Sequence, residues 1–582
     1  MPPAKKAKQK ETIEETSLES SDPTINKPRL RSLSIKNFRS IGNDEIKIDL
    51  DDIVVLVGPN NAGKSSILRA YELVMKHGSK ECQLAISDFP SSQVNQSELP
   101  EITLETIVYD NSPGDQWITL TQEGEQLVKE RWIWSSPNKD PKREGWNINT
   151  QDWDDKVPWG APNIANSRRP QPHRVDAFSS PELQAQQITK LLLDLLQEKV
   201  KTIKSDQNQE KSDYENIIDT LKNFQSKVVE SASTDIKEIE DEVSKYLDRI
   251  FPNHRIKLDA KPESDVEKTF SPFKSNPELS MGVTNGYYSK IENQGSGARR
   301  TLLWSTLKYL SDRNDKYENT RPHVLLLDEP EICLHPSAIR EARDVLYELP
   351  QLVNWQIMIT THSPVFIDLS KDNTTIVRVE RSEKNIECTT LYRPETAKLD
   401  EDDKKNLKLL NVCDPYLHEF FFGGKAIVVE GDTEYTAFSM IKNKYPREYS
   451  NIHIIRARGK GVILSVSKVL KQFSKNFAIL HDSDTELTQD NKKNPSWGLN
   501  NSIQDLRTNT GIDINIIACK TNFEMAIFGE EAKYEKPYNA LKRIESDPKI
   551  EKNVKQLLDS LIDISKKPPA NCIRWSQIND LK

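Results

Sequence analysis

No stretch of this chain comes near the roughly eighteen consecutive apolar residues that a membrane-spanning helix needs. Apolar residues make up only 36% of its 582 positions. The opening residues, MPPAKKAKQKETIEE, lack the apolar core of a secretory signal. Cys-x-x-Cys pairs are missing too. The six cysteines stand apart at 82, 333, 388, 413, 519 and 572, which argues against structural zinc and against a disulfide framework. These absences predict a cytoplasmic protein in a reducing compartment. A basic excess is also lacking, for the formal net charge is −8. That figure does not exclude a polyanionic partner, because a local basic channel is enough to neutralise phosphates.

A chain this long exceeds one ordinary core, so two or more domains are expected. Residues 1–28 are polar and charged and read as a disordered tail. Order begins with LRSLSIKNFRSIGNDEIKIDL, whose alternation predicts a β-hairpin. The runs EITLETIVYD and WITLTQEGEQLVKERWIW predict a β-rich insertion over about 100–175. It holds six of the ten tryptophans, at 117, 132, 134, 146, 153 and 159; packing is the simpler role for them and base stacking the sharper one. Ile188, Leu191, Leu192, Leu195, Leu196 and Val200 share one helical face, as do Ile217, Ile218, Leu221, Phe224 and Val228. A helical hairpin over about 180–250, suited to packing or self-association, follows. The main boundary is expected near residue 400, giving domains over 29–400 and 401–582. Strand and helix alternate in the second, which predicts a small parallel α/β sheet.

The sequence GPNNAGKSS, Gly58 to Ser66, lies between an apolar strand and a helix and fits G-x-x-x-x-G-K-[ST]. Gly58, Asn60, Asn61, Gly63, Lys64, Ser65 and Ser66 form the candidate phosphate cradle for ATP, with Lys64 reaching the terminal phosphates and Ser65 holding Mg²⁺. Further on, VLLLDEP ends a strand in Asp328 and Glu329, suited to metal binding and to polarising water. IMITTHSP ends another in His362. Together these motifs resemble the ABC-type ATPase heads of chromosome-maintenance and recombination proteins. That resemblance implies a Mg²⁺ ligand at Asp328, a general base at Glu329 and a switch histidine at His362. It also implies that a second head completes the ATP site. The candidate element is NQGSGARR, with Ser296 and Gly297, which departs from the family wording.

Two later strands end in acid. AIVVEGDTE carries Glu430, Asp432 and Glu434, and FAILHDSDTE carries Asp482 and Asp484. Carboxylates gathered without thiol or imidazole ligands favour a hard cation, Mg²⁺ or Mn²⁺. Glu430, Glu434, Asp482 and Asp484 are the candidate ligands, with Asp432 read as a helix cap. Between the strands, IIRARGKGVI offers Arg456, Arg458 and Lys460 as a phosphate-contacting edge. The pattern E-G-x-x-[DE] followed by D-x-D resembles the Toprim domain. An ABC/SMC-like ATPase head followed by Toprim resembles the OLD (overcoming lysogenization defect) family, which includes the Gabija nuclease subunit and some retron effectors. The resemblance implies Glu524 as a further metal ligand and a basic catalytic residue, either Lys536 or Lys567. It implies an ATP-regulated DNA endonuclease in antiphage defence, acting as a homodimer or higher even oligomer. A helicase, or a reverse transcriptase with its DNA product, is a possible partner. The alternatives are a DNA-clamping ATPase with Toprim as a recruitment module, or less favourably a topoisomerase or primase.

Overall fold

The computed structural model describes residues 28–582 apart from positions 123, 177–179, 202, 205–210, 225–226, 228–236, 238–240, 242–277, 284–285, 312–321, 333, 352–354, 382–385, 414–416, 423, 474–475, 489, 508–511 and 532–533. Three sheets carry the architecture. The first is antiparallel: Ile46–Asp49, Arg29–Lys36, Glu101–Val108, Gln126–Ile133, Lys142–Asn147 and Asp152–Asp154 lie side by side, with Ile118–Leu120 pairing on Gln126–Ile133. The expected β-rich insertion is therefore no separate body. Its first strand pairs with Arg29–Lys36 over seven positions and extends the N-terminal hairpin into one sheet.

The second sheet runs in the order Ile386–Tyr392, Thr374–Arg381, Ile53–Val57, Trp355–Thr360, His323–Asp328 and Gln171–Val175. All neighbours are parallel except the first pair. Both faces of its centre are covered, so Ile53–Val57 and Trp355–Thr360 are buried at every position. Gln171–Val175, expected within the insertion, is instead an edge strand of this sheet beside the acidic strand. The buried Gln356 ties the two sheets, since its carboxamide bonds both the N–H and the C=O of Leu30.

The tryptophans pack. Trp132 and Trp134 are fully buried, and Trp117 and Trp159 nearly so. Trp146 meets Trp153 edge to face, and Arg131 lies 4.3 Å from the Trp153 ring centre. Of the expected helical hairpin, helix Pro181–Lys201 and helical residues 213–224 are described. The remainder, like the tail at 1–27, lies outside the described residues.

The third sheet takes the order Ile452–Arg456, Lys425–Val429, Phe477–Asp482, Ile514–Cys519 and Cys572–Arg574; the first four strands are parallel and the last antiparallel. Helix Glu401–Cys413, just past the boundary expected near residue 400, docks on helix Lys460–Lys471 through Asp403 with Ser465 (2.7 Å) and Lys468. Leu407 and Leu410 are buried. One apolar core consequently runs from Ile53 and Leu325 in the second sheet to Ile479 and Trp575 in the third.

Candidate nucleotide and metal sites

The loop after Ile53–Val57 adopts its form because two glycines take backbone angles that other residues avoid: φ is 142° at Gly58 and 97° at Gly63. A methyl group on Gly58 would lie 2.0 Å from the Val379 carbonyl oxygen. Lys64, nearly buried at the start of helix Lys64–Met75, donates to the carbonyls of Gly58 (3.1 Å) and Pro59 (2.9 Å). Its ammonium stands 3.0 Å from His362 Nε2. Burial lowers the Lys64 pKa, and burial with the Lys64 charge lowers that of His362. We therefore read His362 as neutral and accepting from Lys64, even though Glu329 Oε1 lies 3.4 Å from the same nitrogen.

Ser65 Oγ donates to Asp328 Oδ1 at 3.0 Å, and Thr360 donates to the same oxygen at 2.5 Å. Three strand ends thus place Ser65, Asp328, Glu329 and His362 around one point beside the phosphate loop. Glu329 stands at φ 45°, held there by the Thr360 carbonyl and hydroxyl. Sequence reasoning missed three supporting residues. Glu331 Oε1 accepts from the His362 N–H (2.7 Å) and the Thr361 hydroxyl (2.9 Å), fixing the histidine segment. Arg174 reaches Asp328 Oδ2 at 3.8 Å. Arg300 donates to the carbonyls of Glu329 and Pro330. Glu331 was within sight in the run LDEPE and Arg300 in NQGSGARR, though neither was given this role; Arg174 carried no local signal. Ser296 and Gly297 open helix Ser296–Ser311, whose link to the acidic strand runs through Arg300.

In the third sheet, Lys425–Val429 and Phe477–Asp482 are adjacent and parallel, so their acidic ends meet. Glu430 Oε2 accepts from the Asp482 N–H at 3.1 Å. Glu434 lies in the first turn of helix Asp432–Lys444, 4% exposed and folded back over Gly431. Glu524 opens helix Phe523–Phe528 and accepts from the Thr433 hydroxyl at 3.1 Å. Burial raises the pKa of Glu430, and pushes that of Glu434 up to about 7. Asp482 is raised well above the usual range by burial, with Glu434, Glu430, Glu524 and Asp484 adding to it. Asp432, by contrast, is exposed and pairs with Arg456 at 2.9 Å.

The donor set is all oxygen, and Asp482 Oδ1 is buried without a hydrogen-bond partner, so the residues fit a hard divalent cation. Among the described residues no three such side chains enclose a metal point as they stand; side-chain rotation onto the ion would be required. Lys536 Nζ lies 3.6 Å from Glu524 Oε1 and 2.6 Å from Glu531. Lys567 is exposed, its carbonyl accepting from Gln556; the structure brings Lys536, not Lys567, to the acids. The expected basic edge divides. Arg458 is exposed, Arg456 is half-buried against Tyr435, and Lys460 is turned inward onto Asp484. Two further residues escaped the sequence. Trp575 Nε1 donates to His481 Nε2 (2.9 Å), and His481 Nδ1 meets the Asp482 carbonyl (2.8 Å), which fixes the imidazole as a neutral Nδ1–H tautomer.

The phosphate site meets the third sheet at the start of the strand that leads to Glu430. Phe422, at the end of the turn Leu417–Phe422, stacks on the His362 ring at 6.4 Å. It also lines a cleft of about 590 Å³ with Pro59, Arg378, Arg381 and Lys425.

Comparison with known proteins agrees with this layout. The model of an AAA ATPase domain matches residues 29–112 and 180–367. That of the overcoming lysogenization defect protein-like TOPRIM domain matches 421–484, a span containing Glu430, Glu434, Asp482 and Asp484. The Old nuclease of Escherichia phage P2 is 25% identical over 482 residues, covering 78% of this chain and 77% of the relative. The chain is similar to OLD nucleases over most of its length. A second relative, the OLD nuclease of Thermus scotoductus, is 24% identical over 469 residues, covering 78% and 82%. A solved Smc head bound to the C-terminal winged-helix domain of ScpA aligns with 63% of the chain and 99% of its own length, at 17% identity and a TM-score of 0.36. The ATPase match thus contains the phosphate loop, and the TOPRIM match contains Glu430, Glu434, Asp482 and Asp484.

Proposed function

We propose that this protein is an ATP-controlled, metal-dependent DNA endonuclease that nicks or cuts DNA in defence against phage. The observation that carries the reading is Asp482, at the end of the sheet's central strand, whose buried oxygen has no hydrogen-bond partner among the described residues while four other carboxylates, Glu434, Glu430, Glu524 and Asp484, surround it. A Mg²⁺ or Mn²⁺ ion, when bound there, would supply an activated water and steady the departing oxygen of a phosphodiester. Glu430, Glu434, Asp482 and Asp484 would hold it, with Glu524 on the side of Lys536. Lys536 is suited to neutralise a phosphate oxygen, and the exposed Arg458 to contact the neighbouring backbone. The activity in the relatives' names, Old nuclease and OLD nuclease, supports the assignment.

In the ATPase unit Lys64 and His362 would face the terminal phosphate, Ser65 and Asp328 would hold the Mg²⁺ that accompanies ATP, and Glu329 would orient the attacking water. Ser296 and Gly297 would complete the site on a second copy, which makes a homodimer the working unit. ATP would restrain cleavage while it is abundant. A helicase, or a reverse transcriptase with its DNA product, is the kind of partner that could relieve this restraint.

The test is cleavage of supercoiled plasmid with Mg²⁺ or Mn²⁺, with and without ATP, beside a double variant Asp482→Ala, Asp484→Ala. Nicking by the parent and its loss in the variant are expected. Equal cleavage by both proteins would overturn the assignment of the acids. A parent that turns over ATP and cuts nothing under any condition would favour a DNA-clamping ATPase.

A further inference from the structure

We infer that Lys460 is a positioning residue for the acidic site: its buried ammonium holds one oxygen of Asp484 so that the other is presented to the cation. The inference rests on the reading of these acids as a cation site.

Lys460 is 4% exposed. It reaches the interior because the chain before it turns sharply, with φ 60° at Arg458 and 140° at Gly459. A buried ammonium needs acceptors for its three protons, and three surround it. They are Asp484 Oδ2, Asn500 Oδ1 (3.1 Å) and the Ser496 carbonyl (3.4 Å). Asn500, itself fully buried, donates from its other end to the Ser483 carbonyl at 2.9 Å. Ser483 Oγ accepts from the Thr521 N–H, and the Asp484 N–H donates to the Thr521 carbonyl. Asp484 is kept at φ 60° by this frame. Its Oδ1 has no hydrogen bond among the described residues. A lysine in a Gly-Lys-Gly loop would ordinarily point into solvent; here it joins helix Lys460–Lys471, helix Pro495–Asp505 and the acidic loop. It also faces Glu430, whose negative charge it offsets. Carboxylate ligands held by such outer partners typically lose 10–100-fold in metal affinity when the partner is removed.

The experiment measures Mn²⁺ binding by electron paramagnetic resonance of the free ion, without nucleotide, in a Lys64→Ala background that weakens the ATP site. Lys460→Met keeps the buried volume and removes the ammonium. We expect Mn²⁺ affinity to fall about 10–100-fold and the Mn²⁺ needed for half-maximal plasmid cleavage to rise by the same factor, with the rate recovering at high Mn²⁺. Unchanged Mn²⁺ affinity with slower cleavage would overturn the inference, because Lys460 would then act on DNA. Tighter Mn²⁺ binding would overturn it too, since the lysine would be only a counter-charge. Should Lys460→Met fail to fold, Asn500→Ala retains the charge and removes its anchor; a smaller loss of affinity supports the inference and none overturns it. If the parent protein binds Mn²⁺ but cuts nothing, the endonuclease reading fails while the affinity ratio still judges Lys460.

Discussion

At Glu434 one side chain would tie stability to the proposed cation binding. It is buried beside Glu430 and Glu524, and its pKa is pushed up to about 7. Below about pH 4.5 it is protonated in folded and unfolded chains alike. Between that pH and about 7 only the folded chain keeps the proton. Its contribution is therefore complete at low pH and lost as pH rises through 7, a change on the order of 3 kcal/mol. Melting in EDTA should fall more steeply between pH 5 and 8 for the parent than for Glu434→Gln, whose amide cannot ionise. A divalent cation should restore the parent at pH 8, because it takes the place of the proton. Equal slopes for the two proteins would remove Glu434 from this role.

At the scale of elements, the phosphate loop is held as much by a neighbouring strand as by its own sequence. Thr374–Arg381 runs beside Ile53–Val57 and brings the Val379 carbonyl to where a Gly58 side chain would start. Gly58→Ala should cost about 2 kcal/mol through backbone strain and displacement, and should weaken binding of a fluorescent ATP analogue at least tenfold. Normal affinity in this variant would show that the loop has room to move. The loop, the strand ending in Asp328 and the strands ending in Glu430 and Asp482 were legible in the sequence because each couples a fully apolar run to a turn of charged residues. That signal is local. Gln171–Val175 was not legible, since QPHRV has no apolar run and its place is set by pairing with His323–Asp328. The single antiparallel sheet was hidden for the same reason: period-two alternation marks strands but does not name their partners. Lys460 was misplaced because composition puts lysine on the surface, and only the fold shows the three acceptors that allow it inside.

Across the whole molecule, the ATPase and TOPRIM units share one apolar core, and Phe422 occupies their junction between the His362 ring and the strand leading to Glu430. Phe420 and Phe421 pack at a tilt on Phe473, just past the far end of the helix that begins at Lys460. Phe422→Ala should leave ATP turnover and ATP-free cleavage in place while the effect of ATP on cleavage shrinks several-fold, a coupling change of about 0.5–2 kcal/mol. An unaltered ATP response would assign the coupling elsewhere. The contact between Trp575 and His481 spans 94 positions, and it braces the backbone of Asp482 through a segment made long after the acids themselves. During synthesis the emerging chain therefore carries Glu430, Asp482 and Asp484 well before the edge strand Cys572–Arg574 can close the sheet beside them. A copy lacking that stretch would carry the acids without the brace that Trp575 gives His481 and, through it, Asp482.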